Sequence, residues 1–128
     1  MKRFLLAFSL VTATCTFTAV QHATAQTTVS AASFTSKVNQ LDANLATGDT
    51  VAAKATFAEL NTMMIQVLGA TKTSIHNATN PTDKAYYTNY LSAQQIPVYN
   101  TIWQLKVNLA LNRAAIIEKL NQFDALIY

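Results

Sequence analysis

Residues 34–60 read FTSKVNQLDANLATGDTVAAKATFAEL. Two apolar stripes meet here across one turn. Phe34, Val38, Leu41 and Leu45 recur at four, three and four residues, one face of a 3.6-residue period. Phe57 and Leu60 open a second stripe that continues through Met64, Val67, Leu68 and Ile75. Between them, Gly48 suits the left-handed position past a helix end, and Asp49 suits the cap of the next helix. The pattern predicts a helix from about Ala31 to Thr47, capped by Ser30 or Ser33, and a second from about Thr50 to Asn77. Gly69 lies inside the second helix, where Gly costs about 1 kcal/mol against Ala. A close helix contact or a bend is therefore expected at that point.

Working outward, residues 77–83 carry turn and cap residues, Asn77, Asn80, Pro81 and Asp83, and predict a loop. A third helix starts near Thr82, with Asp83 in its first turn. Tyr87, Leu91 and Gln94 lead to Pro97, followed by the stripe Val98, Ile102, Leu105, Leu109, Ile116, Leu120, Phe123 and Ile127. Residues 82–127 as one helix would be about 69 Å long, against about 42 Å for the second helix, at 1.5 Å per residue. So a break must lie near Pro97 or near Asn112. The Asn112 break is favoured, because it lets two short helices flank two long ones, with Pro97 as a kink.

Gln40-Leu41-x-x-Asn44-Leu45-Ala46 recurs as Gln104-Leu105-x-x-Asn108-Leu109-Ala110, and Phe57-x-x-Leu60 as Phe123-x-x-Leu126. The echo suggests a duplicated helical hairpin. The expected fold is all-α: an antiparallel up-down four-helix bundle. The whole chain holds just two Gly and two Pro, and no stretch alternates with period two.

The N-terminal end reads differently. Lys2 and Arg3 precede an apolar run from Phe4 to Val20, and Ala23 and Ala25 give an A-x-A site. That order predicts a secretory signal peptide, residues 1–25, cleaved after Ala25, leaving a helical domain of residues 26–128 and a periplasmic or secreted protein. The run is marginal for a bilayer that needs about 20 apolar residues. Cys15 lacks the Leu-centred box of a lipoprotein. The chain has 128 residues, a formal net charge of +3 and 12% charged residues, against about 25% in an average soluble domain. Without Lys2 and Arg3 the net charge falls to +1, and without Cys15 no disulfide can form.

The chemistry of residues 26–128 is sparse. His76 is the single histidine there and has no Asp or Glu within four residues, so a nucleophilic triad is not expected. Glu59 and Glu118 lack a His three residues on, so a carboxylate-bridged metal centre is not expected, nor is any cofactor. Lys37, Lys54, Lys72, Lys84, Lys106, Lys119 and Arg113 are spread singly, without the clustering of a nucleic-acid footprint. A non-enzymatic binding or interaction module is the leading expectation. Its partner is an unknown protein, peptide or small molecule, and a homodimer through an exposed apolar stripe is compatible with the pattern.

The aromatic residues are the candidate surface. Tyr86/Tyr90 and Tyr99/Trp103 are spaced i, i+4, so each pair shares a helix face. Tyr and Trp combine an apolar body with a polar tip, which suits a binding surface and equally suits a groove between helices. Met63 and Met64 read first as gap fillers.

Two stretches resemble known families. Leu45-Ala46-x-Gly48-Asp49-x-x-x-Ala53-x-x-x-Phe57-x-x-Leu60 looks like the helix-turn-helix of a tetratricopeptide repeat, once, where a solenoid needs about three copies. Leu91-Ser92-Ala93-Gln94-Gln95 is similar to the Leu-Thr-x-x-Gln motif of small periplasmic helical stress chaperones of the Spy/CpxP type. That family carries two copies; this chain has one, with Ser for Thr. The resemblance implies an alternative function as a holdase for unfolded clients, with Leu91, Ser92 and Gln95 at the matching positions.

Overall fold

The computed structural model describes residues 29–128. The proposed signal peptide, its cleavage site and Cys15 lie outside them. All regular structure among the described residues is helical. In chain order these are α1 (Ala31–Thr47), α2 (Thr50–Asn77), α3 (Pro81–Asn89), a π-helical turn (Tyr90–Gln95), α4 (Ile96–Leu105), a 3-10 turn (Lys106–Asn108) and α5 (Arg113–Asp124).

The helix starts are set by side chains. Ser30 and Ser33 cap α1 reciprocally: the Ser33 N–H donates to Ser30 Oγ (3.1 Å), and the Ser30 N–H donates to Ser33 Oγ (3.3 Å). Asp49 Oδ1 accepts the Ala52 N–H at 3.0 Å to open α2. Asn80 Oδ1 accepts the Asp83 N–H at 2.8 Å to open α3, with Pro81 in the first turn, where its missing N–H costs nothing. Gly48 ends α1 at φ 77°, a left-handed conformation that side-chain-bearing residues adopt only at a cost.

The helix is continuous through Gly69, and a Cβ built there meets no atom within 4 Å. The close contact expected at Gly69 does not exist. The position faces solvent, where nothing opposes a larger residue and helix propensity favours one.

Pro97 does not end the helix either. It lacks an N–H, and its ring would crowd the carbonyl one α-turn earlier. The preceding turn widens to relieve this, and the Ile96 N–H donates five residues back, to the Leu91 carbonyl. The backbone stays helical from Pro81 to Leu105. Residues 106–112 then form a 3-10 turn and further turns in place of an α-helix, and asparagines hold this second turn. The Leu111 N–H donates to Asn108 Oδ1 (3.0 Å), and Asn112 Nδ2 donates to the Leu105 carbonyl (2.9 Å). Asn112 has φ −96°, so the turn differs in conformation from the one at Gly48.

α1 and α2 run in opposite directions: Lys37 meets Glu59, and Asn44 Nδ2 donates to Thr56 Oγ1 (3.0 Å). α5 packs on α1 through Phe34 and Phe123, whose ring centroids are 5.8 Å apart, and through Arg113 Nε, which donates to Asp42 Oδ1 at 2.7 Å. Thr35 Oγ1 donates to Asp124 Oδ2 on the same interface. The core joins Phe34, Val38 and Leu41 to Phe57, Leu60, Met64 and Val67, closed by Ile102, Ile116, Leu120 and Phe123. These are the periodic positions of the sequence. Truncating one such aromatic to Ala costs about 3–5 kcal/mol, a large part of a small domain's stability.

Candidate functional site

The four aromatic candidates separate into two clusters. Tyr90 and Tyr99 are nine positions apart, about 13 Å along a helix. Tyr86 stacks on Tyr90 (centroids 6.0 Å, 15°) and meets Tyr87 edge-on, while Tyr90 meets Tyr128 edge-on at 5.3 Å. Tyr87 is core, at 1% exposure. Tyr90 is half-buried, and its hydroxyl donates to the Leu126 carbonyl at 3.1 Å. Burial raises the Tyr90 and Tyr128 phenols above the ordinary tyrosine pKa, and the neighbouring tyrosines add to this. The Tyr128 hydroxyl shares a 3.1 Å hydrogen bond with Thr71 Oγ1, which acts the other way. This cluster seals the end of the fold where the chain returns after α5.

The second cluster borders a groove. Tyr99 stacks on Trp103 (6.2 Å, 23°), and its hydroxyl donates to Asn61 Oδ1 of α2 at 2.9 Å. Trp103 is 46% exposed, and Lys106 Nζ lies 4.2 Å from its ring centroid, one turn on. Between α2 and α4, Lys54, Phe57, Ala58, Asn61, Trp103, Lys106 and Leu109 line a hollow of about 330 Å³. That is the lower end of the range for small-ligand sites. A second hollow of about 300 Å³ adjoins it along the turns at 48–50 and 106–110, and shares Lys54, Lys106 and Leu109 with the first. Val51, Val107 and Leu111 are 79–83% exposed on these turns and the helix starts beside them.

Sequence reasoning named Trp103 and Tyr99 but missed Lys54, Asn61 and Lys106. The signal was present: Lys54, Ala58 and Asn61 follow at i, i+4, i+7, a stripe beside the apolar one, and Lys106 is i+3 from Trp103. What it lacked was the placement of α2 opposite α4, which the Tyr99–Asn61 hydrogen bond bridges.

Elsewhere the chemistry is plain. His76 is exposed near the end of α2. Among the described residues no group of three or more His, Cys, Asp or Glu side chains could hold a metal. No helix there is long and apolar enough to cross a membrane. In the Leu-Ser-x-x-Gln stretch, Leu91 and Gln95 are buried and Ser92 is exposed, its hydroxyl donating to the Thr88 carbonyl. Gln95 Nε2 donates to the Leu126 carbonyl at 3.2 Å, so this side chain points into the protein. No protein-family model, curated protein or solved structure matches the chain.

Proposed function

We propose that the chain is an exported, non-enzymatic binding module, an antiparallel up-down four-helix bundle built from a duplicated helical hairpin, whose site is the groove between α2 and α4. One observation carries the site: the chain's single tryptophan stands half-exposed over an apolar floor of Phe57 and Leu109, in a hollow large enough for a small ligand. Trp combines an apolar body with a polar tip, which suits a binding surface, and here it lines an apolar hollow while remaining accessible.

The test uses residues 26–128 and the neutral probe N-phenyl-1-naphthylamine. Excitation of Trp103 transfers energy to a probe bound in the groove. Saturable transfer is expected in the native chain, with at least tenfold weaker binding in Ala58→Phe, which fills the groove from an exposed helix position. No saturable transfer in the native chain sinks this reading. Export is tested by sequencing the N-terminus of the protein recovered from the producing cell, which should begin at Gln26.

Exposed Val51, Val107 and Leu111 beside the groove favour a second reading, a chaperone-like holdase. It predicts suppressed aggregation of an unfolded client, and no protection at excess protein would remove it. Gln95 and Leu91 are buried, so the client surface in this reading is the apolar end of the fold rather than the chaperone-like motif.

A further inference from the structure

We infer that the groove selects small organic anions, with the acidic group held between Lys54 and Lys106 and its apolar body lying on Phe57, Leu109 and Trp103. This rests on the groove being the binding site, as proposed above.

The charge pattern carries it. Lys37 pairs with Glu59 at 2.6 Å, and Arg113 pairs with Asp42 at 2.7 Å. Among the described residues the remaining lysines, Lys54, Lys72, Lys84, Lys106 and Lys119, are in no ion pair with a carboxylate, and of these five Lys54 and Lys106 alone line the hollows. These two lysines line both hollows, at the point where they join. Each hollow is mostly apolar, and the saddle between them is cationic. The Lys106 ammonium is parked over the Trp103 ring, a contact that is weak at an exposed site. A carboxylate or sulfonate offers it a charge-assisted hydrogen bond, roughly twice as strong as a neutral one. An acidic group can therefore draw Lys106 off the ring and leave Trp103 to the ligand's apolar part. Asn61 adds a polar wall: its Oδ1 is taken by Tyr99, which leaves its amide N–H groups to face a ligand acceptor. A hollow of about 330 Å³ with a second of about 300 Å³ beside it fits a body of two or three rings.

The experiment compares two probes of one shape on residues 26–128: anionic 8-anilinonaphthalene-1-sulfonate and neutral N-phenyl-1-naphthylamine, both read by energy transfer from Trp103. The anion is expected to bind at least tenfold more tightly at low salt. Its advantage should shrink as sodium chloride rises, because exposed charges are screened. In the double variant Lys54→Gln, Lys106→Gln the anionic-to-neutral affinity ratio should fall toward one. In Lys72→Gln it should stay as in the native chain. Equal affinity of the native chain for both probes overturns the anion selectivity and leaves the groove as a neutral-ligand site. Failure of both probes overturns both proposals. Lysine-dependent sedimentation with vesicles of anionic phospholipid, with no selectivity between the soluble probes, would assign the lysines to a membrane surface and overturn the small-anion reading. Far-ultraviolet circular dichroism of each variant checks that it is folded.

Discussion

Two donors share one acceptor where the tail after α5 meets the π turn. The Tyr90 hydroxyl and Gln95 Nε2 both donate to the Leu126 carbonyl, at 3.1 and 3.2 Å. Gln95 is fully buried, and its Oε1 has no hydrogen-bond partner. Removing one donor leaves Leu126 satisfied by the other. Tyr90→Phe should then cost about 0.5–1.5 kcal/mol, the net worth of one hydrogen bond. Gln95→Met loses a bond of the same size, but it also removes a buried oxygen whose lack of a partner costs about 1–3 kcal/mol. That substitution should be neutral or stabilising by about 1 kcal/mol. In the double variant the Leu126 carbonyl has neither donor, and an orphaned acceptor adds about 1–3 kcal/mol. The two effects should therefore couple by at least about 1 kcal/mol, beyond the 0.3–0.5 kcal/mol scatter of independent sites. Urea unfolding of residues 26–128, followed by circular dichroism, measures the cycle. For a domain of this size 1 kcal/mol is also about 4–8 °C in Tm. Additive single effects would falsify the shared-acceptor argument. So would a loss of more than about 2 kcal/mol in Gln95→Met alone, since the orphaned oxygen should offset the lost bond.

Other consequences follow from the turns and the charges. Gly69→Ala should stabilise by about 1 kcal/mol, since it meets open space in a helix interior, whereas Gly48→Ala should destabilise by about 1–2 kcal/mol through its left-handed backbone; thermal melts separate the two signs. The Tyr90 and Tyr128 phenols are raised in the folded state, so their contribution to stability is complete below the unfolded value of about 10 and is lost as pH rises through the folded values. Absorbance titration near 295 nm should lose its latest-ionising part in Tyr90→Phe and Tyr128→Phe. Arg113 holds Asp42 below the usual carboxylate range, chiefly through their hydrogen bond. The pair is partly exposed and screened by solvent, so Arg113→Ala should lower stability only slightly at pH 7. That difference should vanish as pH falls through the folded Asp42 value, and denaturation at several pH values checks it.

Where local chemistry decides, the sequence is transparent. Phe34, Val38 and Leu41 are buried as their spacing requires, and the Gly48-Asp49 turn is made by the two residues whose conformational and capping preferences demand it. Gly69 misled because its cost in a helix suggested a compensating contact, when it is simply tolerated on an open face. The widened turn before Pro97 was not foreseen, since a proline announces a disturbance without saying whether the helix bends, stops or widens. Trp103 and Tyr99 were legible as a pair because their spacing is local. The groove was not, because Lys54 and Asn61 reach it from α2, and no single-helix pattern shows which faces two helices will share.

The π turn also sets a phase. Tyr87, Leu91 and Gln95 are buried and Tyr99 is half-buried, at uniform steps of four. On a regular α-helix each such step drifts by about 40° around the axis, so three steps would carry Tyr99 about 120° away from Tyr87. A turn wider than four residues absorbs that drift and keeps the row in line. Deleting one residue between 90 and 95 would restore ordinary α geometry and rotate everything beyond it by about 100°. Trp103 would then swing off the groove, and Tyr99 would lose Asn61. The aromatic face of α4 is thus aimed by a backbone irregularity a full two turns away, and an alanine scan of the groove itself would never find it.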